Sequence, residues 1–479
     1  MACYIIQTEG KVKMTKVKIG YMPTKRRFFS GEDAFKYKGI IRTAIEKIAP
    51  DVEFVDLEGL NDTGLLASVE DAGAAAKRFI AAGVDGIFTP HCNFGCEEAV
   101  AVAAKKVNVP VLLWGPRDES PLADGERLRD SQCGLFATSK VLQRFGVPFS
   151  YVINSRVDDP VFAEGFKRFV AAVDVVRNFR NARIGQIATR PKDFYSVIVN
   201  EGELLERFGI QTIPMDMGKL AAEVRSQVKN PTDALRTEAE VLSKRVDFSL
   251  MTSDAPLKMA ALKAALAKWK RDENLNAAAF QCWDQLQLEI GICPCFVNSV
   301  LIEEGFPVAC ETDIHGALSM LIQQAASHFA EPVFLADLTI RHPGDDNAEL
   351  LWHCGAFPAS LADGECKLNK HFVLPGNPDG VCNWKLKMGH ITVNRFDGVK
   401  GKYSLFSGEC DAVDGPFNQG TYVYVKMPDW GAWEEKFIYG PYIHHVSCVY
   451  GSLTPVMKEA VRFIDGLEFD PVCGGASCR

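Results

Sequence analysis

The stretch "ARIGQIATRPKDF", residues 182–194, is where a strand-then-helix pattern begins for a second time. Ile184-Gly185, Thr189 and Phe194 repeat Ile19-Gly20, Thr24 and Phe29 at an offset of 165 residues. Upstream, from Val17 to about Phe149, "VKIGYM", "VEFVDL", "VDGIFTP" and "VPVLLWG" read as strands, and amphipathic helical segments separate them. Strands alternating with helices at this spacing predict a parallel sheet covered on both faces. Downstream, "IQTIPMDM", "VDFSLMTS" and "AAAFQCW" read as further strands. The segment "DDPVFAEGFKRFVAAVDVVRNFRN" reads as a helix crossing between the two runs. Two successive Rossmann-like domains follow, with strand-end loops expected to face one cleft.

After about residue 332 Gly, Pro and Asn become frequent, and "HFVLP", "GHITVNRF", "GKYSLFSGEC" and "TYVYVKM" follow one another as short strands. This predicts an antiparallel, barrel-like β domain closed by a last helix in "TPVMKEAVRFIDGL". The expected class is therefore α/β. Its domains run over 1–152, over 153–332 and, for the β domain, over 333–479.

Composition sets outer bounds. The chain has 479 residues, 47% hydrophobic and 24% charged, with a net charge of −8 and no long basic run. Nucleic acid and anionic membranes are not expected partners. No apolar run approaches the roughly 20 residues of a membrane helix. The first 15 residues lack the apolar core and cleavage site of a signal peptide, so a cytoplasmic protein is expected. Fifteen cysteines, most in apolar surroundings such as Cys282, Cys310 and Cys448, suit buried free thiols better than a disulfide framework. Cys293 and Cys295 in "CPC", and Cys473 and Cys478 in the tail, lack the paired spacing of a zinc site.

The polar residues that stand out do so against apolar neighbours. "FPVACETDIHGALSMLIQQ", 306–324, places Glu311 and Asp313 in a small-residue turn before an apolar helix. Asp313 is positioned to cap that helix, and His315 within it is expected to be structural. Asp337 interrupts the strand "EPVFLADLTI", where an unpaired charge is costly and a partner is required. Either Arg341 or a metal would serve. His444 and His445 are adjacent in "YIHHVSCVYG", so strand alternation should aim only one of them at a given site. His353 in "LLWHCG" is a third candidate. Carboxylates with imidazole and no thiolate suit a divalent ion such as Mn²⁺, with Co²⁺ or Mg²⁺ as alternatives. Neither strand-end loop carries the glycine spacing of a phosphate or dinucleotide site, so no nucleotide cofactor is expected. No nucleophile elbow is present. His91 beside Cys92 is a poor nucleophile pair.

Residues 306–339, from "FPVACETD" to "FLADLT", resemble the metal-binding carboxylate segment of the L-fucose isomerase and L-arabinose isomerase superfamily. "HHVSCVYG" resembles that superfamily's C-terminal metal-histidine motif, and "AFQCWDQ" its "FQGQ" region. The resemblance implies a metal-dependent aldose–ketose isomerase. Glu311 and Asp337 would act as ligands and acid/base pair, His445 as a ligand and His353 as a less certain one. It further implies substrate contacts from Gln281, Trp283 and His444, and from the amino-domain residues Arg26, His91 and Asn93. The superfamily forms trimers and hexamers with sites at subunit interfaces, so a homo-oligomer acting on a small sugar is expected.

Two departures bear on the sugar. Met22-Pro23 replaces an Arg-Pro, and "TPHCNFG" has Cys92 where fucose isomerases have tryptophan. The run Lys25-Arg26-Arg27 either faces solvent or meets an anionic sugar, and superfamily members act on sulfoquinovose. A metal-dependent dehydratase or aldolase could use the same ligands. A non-catalytic sugar-binding protein is a third reading.

Overall fold

Alternating runs of small and β-branched residues make the strands, and side-chain caps set where the helices begin. In the computed structural model, which describes residues 16–374 and 376–472, the chain forms two units. One runs to Arg177 and takes in Lys458–Asp465. The other begins at Asn178, runs to Met457 and resumes at Gly466.

The first unit comprises β1 (Lys18–Tyr21), α1 (Gly31–Ile48), β2 (Glu53–Val55), α2 (Val69–Ala82) and β3 (Gly86–Pro90). It continues through α3 (Glu97–Val107), β4 (Val111–Trp114), α4 (Ser131–Phe145), β5 (Ser150–Tyr151) and most of α5 (Pro160–Phe179). All five strands are parallel, in the order β2-β1-β3-β4-β5. The helix ends follow from local chemistry. In α2, Ser68 and Asp71 form a reciprocal capping box, and Gly83 takes the left-handed φ of +63° that closes the helix.

The second unit opens with β6 (Arg183–Ile187), α6 (Glu201–Phe208), β7 (Gln211–Met215), α7 (Met217–Lys229), α8 (Asp233–Arg245) and α9 (Ala255–Asp272). Then come β8 (Ala277–Phe280), α10 (Gln285–Ile290), α11 (Cys295–Glu303), β9 (Val308–Ala309) and α12 (Ile314–Ala326). The strands again form a parallel sheet, ordered β7-β6-β8-β9. The remaining elements are β10 (Phe334–His342), β11 (Asp345–His353), β12 (Lys367–Lys370), β13 (Asp379–Lys385), β14 (His390–Val399) and β15 (Lys402–Val413). They end with β16 (Thr421–Lys426), α13 (Trp430–Tyr439), β17 (His445–Tyr450), α14 (Thr454–Val461), which crosses into the first unit, and β18 (Leu467–Pro471). Antiparallel pairing runs β16-β11-β10-β17-β14-β15, and a further β15–β16 pairing closes these six strands into a ring.

Helix α12 joins the two layers. Every one of its residues is buried, which fits a helix apolar on all sides. It packs on β8 and β9 and also on β14 and β17. One continuous apolar core therefore includes Phe280 and Val308 of the parallel layer with Phe334 and Val393 of the ring. The apolar core continues across residue 332, and the two units divide at Arg177.

Three expected elements differ. "VDFSLMTS" is a turn with a single bridge from Asp247 to Lys367, because the Asp247 carboxylate accepts from the Ser249 N–H and folds the chain back. His371–Leu374 of "HFVLP" bends instead of extending, since His371 Nδ1 accepts from the N–H groups of Val373 and Leu374. The last helix does not close the chain. Strand β18 follows it and pairs in parallel with β15. Among the described residues no helix is long and apolar enough to cross a membrane. Cys282, Cys310 and Cys448 are buried free thiols, while Cys473 and Cys478 lie outside the described residues.

Candidate active site

Glu311 occupies the turn between β9 and α12, and its backbone is strained. Glu311 and Thr312 have φ of +54° and +57°, a region that costs a non-glycine residue about 1–2 kcal/mol. Tertiary bonds hold the turn open. The Thr312 N–H donates to Phe280 O (3.0 Å), the Asp313 N–H to Cys310 O (3.1 Å) and the Thr312 hydroxyl to Thr189 O (3.3 Å). Strain maintained in this way marks a backbone fixed for the side chain it displays.

That side chain is buried, and its two oxygens differ. Oε1 accepts from Trp283 Nε1 (3.3 Å) and lies 3.6 Å from Cys282 Sγ. Oε2 has no hydrogen-bond partner. It stands 3.7 Å from His353 Nε2 and 3.8 Å from His445 Nε2.

Strand register brings in the other groups. Asp337 on β10 pairs directly with His445 on β17, so the two side chains share a face. Asp337 Oδ1 lies 3.7 Å from His445 Nε2 and is likewise buried without a partner. His353 ends β11, one strand away, and its Nε2 is a third unpartnered atom. Arg341 pairs with Asp346, which removes it as the partner of Asp337.

Buried polar atoms are nearly always bonded, so Glu311 Oε2, Asp337 Oδ1 and His353 Nε2, all left unpartnered near this cluster, mark a candidate ligand site. Two carboxylates and imidazole nitrogens, too far apart to bond one another, fit a hard divalent cation. Ligand atoms of Asp337, His444 and His445 also lie within 4.8 Å of one another. This grouping replaces Glu311 with the exposed His444. Glu311 lies beside this grouping, with its orphan oxygen 3.8 Å from His445 Nε2. His444 departs from the expectation that only one of the adjacent histidines faces a site. It precedes β17, so alternation does not bind it, and the two rings meet edge to face at 4.4 Å.

The two carboxylates are tuned differently. Burial pushes Glu311 up, but the imidazoles of His353 and His445 outweigh it and hold the carboxyl below its usual value. Burial prevails at Asp337 against the same imidazoles and raises it to about 6.

Residues 20–180 match the profile of the fucose/sulfoquinovose isomerase N-terminal domain. A sulfoquinovose isomerase of Alkalicoccus urumqiensis is 29% identical over 407 residues, covering 84% of this chain and 89% of its own. One from Priestia aryabhattai is 27% identical with the same coverage. These likenesses support the fucose isomerase-like superfamily, and the chain is an aldose–ketose isomerase. An ABC transporter solute-binding protein from Burkholderia multivorans is 10% identical and covers 66% of this chain and 95% of its own, but at a TM-score of 0.18 it carries no weight.

Within the frame of a fucose isomerase-like protein, the substrate contacts implied by resemblance fall into two sets. Trp283 touches Glu311, and Gln281 lies half-buried just past β8 with its N–H on Ile187 O. Arg26, His91 and Asn93 belong to the first unit, where their polar atoms serve the fold. Arg26 pairs with Glu97 (3.3 Å) and donates to Gly95 O (3.0 Å). His91 and Asn93 are fully buried, His91 against the Thr138 hydroxyl (2.8 Å) and Asn93 in four hydrogen bonds that tie its loop to residues 26–30 and Gly95. Burial at this depth leaves neither side chain displayed.

Two functional features were not anticipated. Asp313 caps α12 through the Gly316 N–H (2.9 Å) as expected, but it also accepts from His445 Nδ1 (3.0 Å) and from both terminal nitrogens of the buried Arg395. Arg395 and Asp397, two apart on the apolar face of "ITVNRFDG", were the available signal for this cluster. His315 bonds Asp397 (2.8 Å) and is structural, as read.

Proposed function

We propose that the protein interconverts an aldose and a ketose through an enediol, with a sulfonated hexose as substrate and Mn²⁺ held by Glu311, Asp337 and His445. The observation that carries this reading is a buried carboxylate, Glu311, and a half-buried one, Asp337, each with a buried, unpartnered oxygen near the same His445 nitrogen, at 3.8 and 3.7 Å. His353 is the additional ligand in this reading. A divalent ion there supplies positive charge beside the negative charge that develops as C2 loses its proton.

The chain's own groups do the rest. Glu311 and Asp337 stand on different elements, a turn and a strand, and can take a proton from one carbon and return it to the neighbouring one. The Trp283 N–H and the Cys282 thiol hold Glu311 Oε1, which leaves Oε2 as the working oxygen. Gln281, Trp283 and His444 contact the sugar. The sulfonated substrate class is supported by the relatives' activity, and the chain is expected to work as a homo-oligomer.

The test is incubation of chelator-treated protein with sulfoquinovose, fucose and arabinose in D₂O, with and without added Mn²⁺. The expected result is Mn²⁺-dependent conversion of the sulfonated sugar to an isomer of equal mass apart from deuterium at C1 or C2. A product lighter by water, or cleaved, makes the enzyme a dehydratase or aldolase. Turnover without exchange points to a hydride shift.

A further inference from the structure

We propose that Arg395 is a positioning residue for the metal-holding cluster. It fixes Asp313, and through Asp313 it sets which nitrogen of His445 faces Glu311 and Asp337. The inference rests on the reading of that cluster as a metal site and assigns a role to a residue outside it.

Arg395 lies on β14 with no exposed surface, an unusual place for a guanidinium. Three of its N–H groups are committed. Nη1 and Nη2 meet the two oxygens of Asp313, the second at 3.0 Å, in a forked pair. Nε donates to Asp397 Oδ2 at 2.9 Å. Asp397 is held in turn by His315 Nδ1 (2.8 Å) and the Gly398 N–H (2.8 Å), so the guanidinium is anchored from both sides.

Asp313 then has one arrangement open to it. Its Oδ1 receives the Gly316 and Arg395 N–H groups, and its Oδ2 receives Arg395 and faces His445 Nδ1 at 3.0 Å. A carboxylate taking two donors from an arginine fork is the ionised, acceptor-only form. The proton between Asp313 and His445 therefore sits on Nδ1, and in the neutral imidazole Nε2 presents a lone pair. That lone pair faces two unpartnered carboxylate oxygens, Glu311 Oε2 and Asp337 Oδ1. Two carboxylate oxygens within 4 Å of one imidazole lone pair, with no hydrogen between, suit a cation.

Space is reserved for the same pair. A Cβ on Gly316 would stand 2.6 Å from Asp313 Oδ2 and 3.3 Å from Arg395 Nη1. The glycine is required by the carboxylate, since its backbone is that of an ordinary helix residue. This gives a second way to disturb the fork without removing a charge.

The test compares wild type with Arg395→Lys, which keeps the charge and loses the fork, and Gly316→Ala, which keeps both and shifts Asp313. Free Mn²⁺ is titrated by electron paramagnetic resonance, and the metal-free proteins are compared by histidine ¹⁵N resonances and by Tm. Both variants should bind Mn²⁺ about 10–100-fold more weakly. At a pH where His445 is neutral, the Nδ1–H form should be clear in wild type and give way to mixed tautomers in the variants. If one variant fails to fold, the other carries the test. Variants with wild-type Mn²⁺ affinity and an unchanged His445 signal overturn the inference. Wild-type protein that takes up no Mn²⁺ instead overturns the metal reading, while the tautomer comparison still decides whether Arg395 orients His445.

Discussion

The two parallel sheets share one topology, β2-β1-β3-β4 and β7-β6-β8-β9, and differ in what their strand-end loops do with polar groups. After β3, Asn93 uses both ends of its amide on backbone groups of neighbouring loops. Burial lowers His91 to about 4, so the one ring nitrogen left unbonded belongs to a neutral group. After β9, Glu311 keeps an oxygen unbonded and accepts a left-handed backbone to display it, although it is also buried. The same architecture thus supports an inward use of polarity, which stabilises, and an outward use, which is costly unless something binds. Satisfaction of the buried atom separates the two better than its burial or its position in the fold.

The largest expected effect breaks this comparison if it fails. Asp337→Asn should lower kcat/KM by about 10²–10⁴-fold, the usual weight of an acid or base. In chelated protein at pH 8 it should leave Tm unchanged or higher, because burial raises the Asp337 carboxyl to about 6 and its ionised form is a cost to the fold. Assay of the variant with and without Mn²⁺, alongside thermal unfolding, reads both. A drop in Tm with activity retained would make Asp337 an ordinary structural residue.

Asn93→Ala should behave in the opposite way. Losing four hydrogen bonds in a dry site and leaving their partners unpaired should destabilise by about 2–4 kcal/mol. In a unit of this size that moves Tm down by several degrees. If Tm holds while KM for the sugar rises, Asn93 is a substrate contact after all.

The comparison also explains what the sequence could disclose. Alternation of apolar runs is a local property, so β1 to β4 and the second start at Arg183 were legible, as was the cap at Asp313. "VDFSLMTS" misled because its apolar pattern suits a strand, while one side-chain bond from Asp247 to Ser249 turns the chain instead. Glu311, Asp337 and His445 were accessible through a resemblance, whereas the orphan oxygens of the two carboxylates depend on register and on α12 lying between two layers. Arg395 lies 82 residues from its partner Asp313, and spacing alone cannot pair them. The positive φ of Glu311 left no trace in the sequence, since neither Glu311 nor Thr312 is a glycine.

Glu349 sharpens the rule, because it is an orphan away from any cluster. It is buried on β11 with Oε2 unbonded, opposite an Arg341 that pairs elsewhere. Burial raises its carboxyl to about 7, with Arg341 opposing weakly. The folded form therefore holds its proton between the usual carboxylate pKa and about 7, while the unfolded chain has lost it. Stability must fall as pH rises through that window. Glu349→Gln should stabilise by about 1–3 kcal/mol at pH 8 and by little at pH 4. Denaturant unfolding at the two pH values tests it, and equal gains at both would mean that Glu349 does not titrate in the fold.

The smallest effect probes the bonded oxygen of Glu311. Trp283→Phe keeps an aromatic ring beside Phe194 and removes the N–H that meets Oε1 at 3.3 Å, together with part of the indole's packing. A bond of that length is worth about 1 kcal/mol, so kcat/KM should fall about 5-fold with Mn²⁺ affinity nearly unchanged, because the orphan Oε2 is the metal-facing atom. The comparison predicts this split, since it treats the two oxygens of one carboxylate as doing different work. If Trp283→Phe instead weakens Mn²⁺ binding as much as Arg395→Lys does, the indole is holding the whole turn in place. The division between a bonded and a displayed oxygen would then have to be given up.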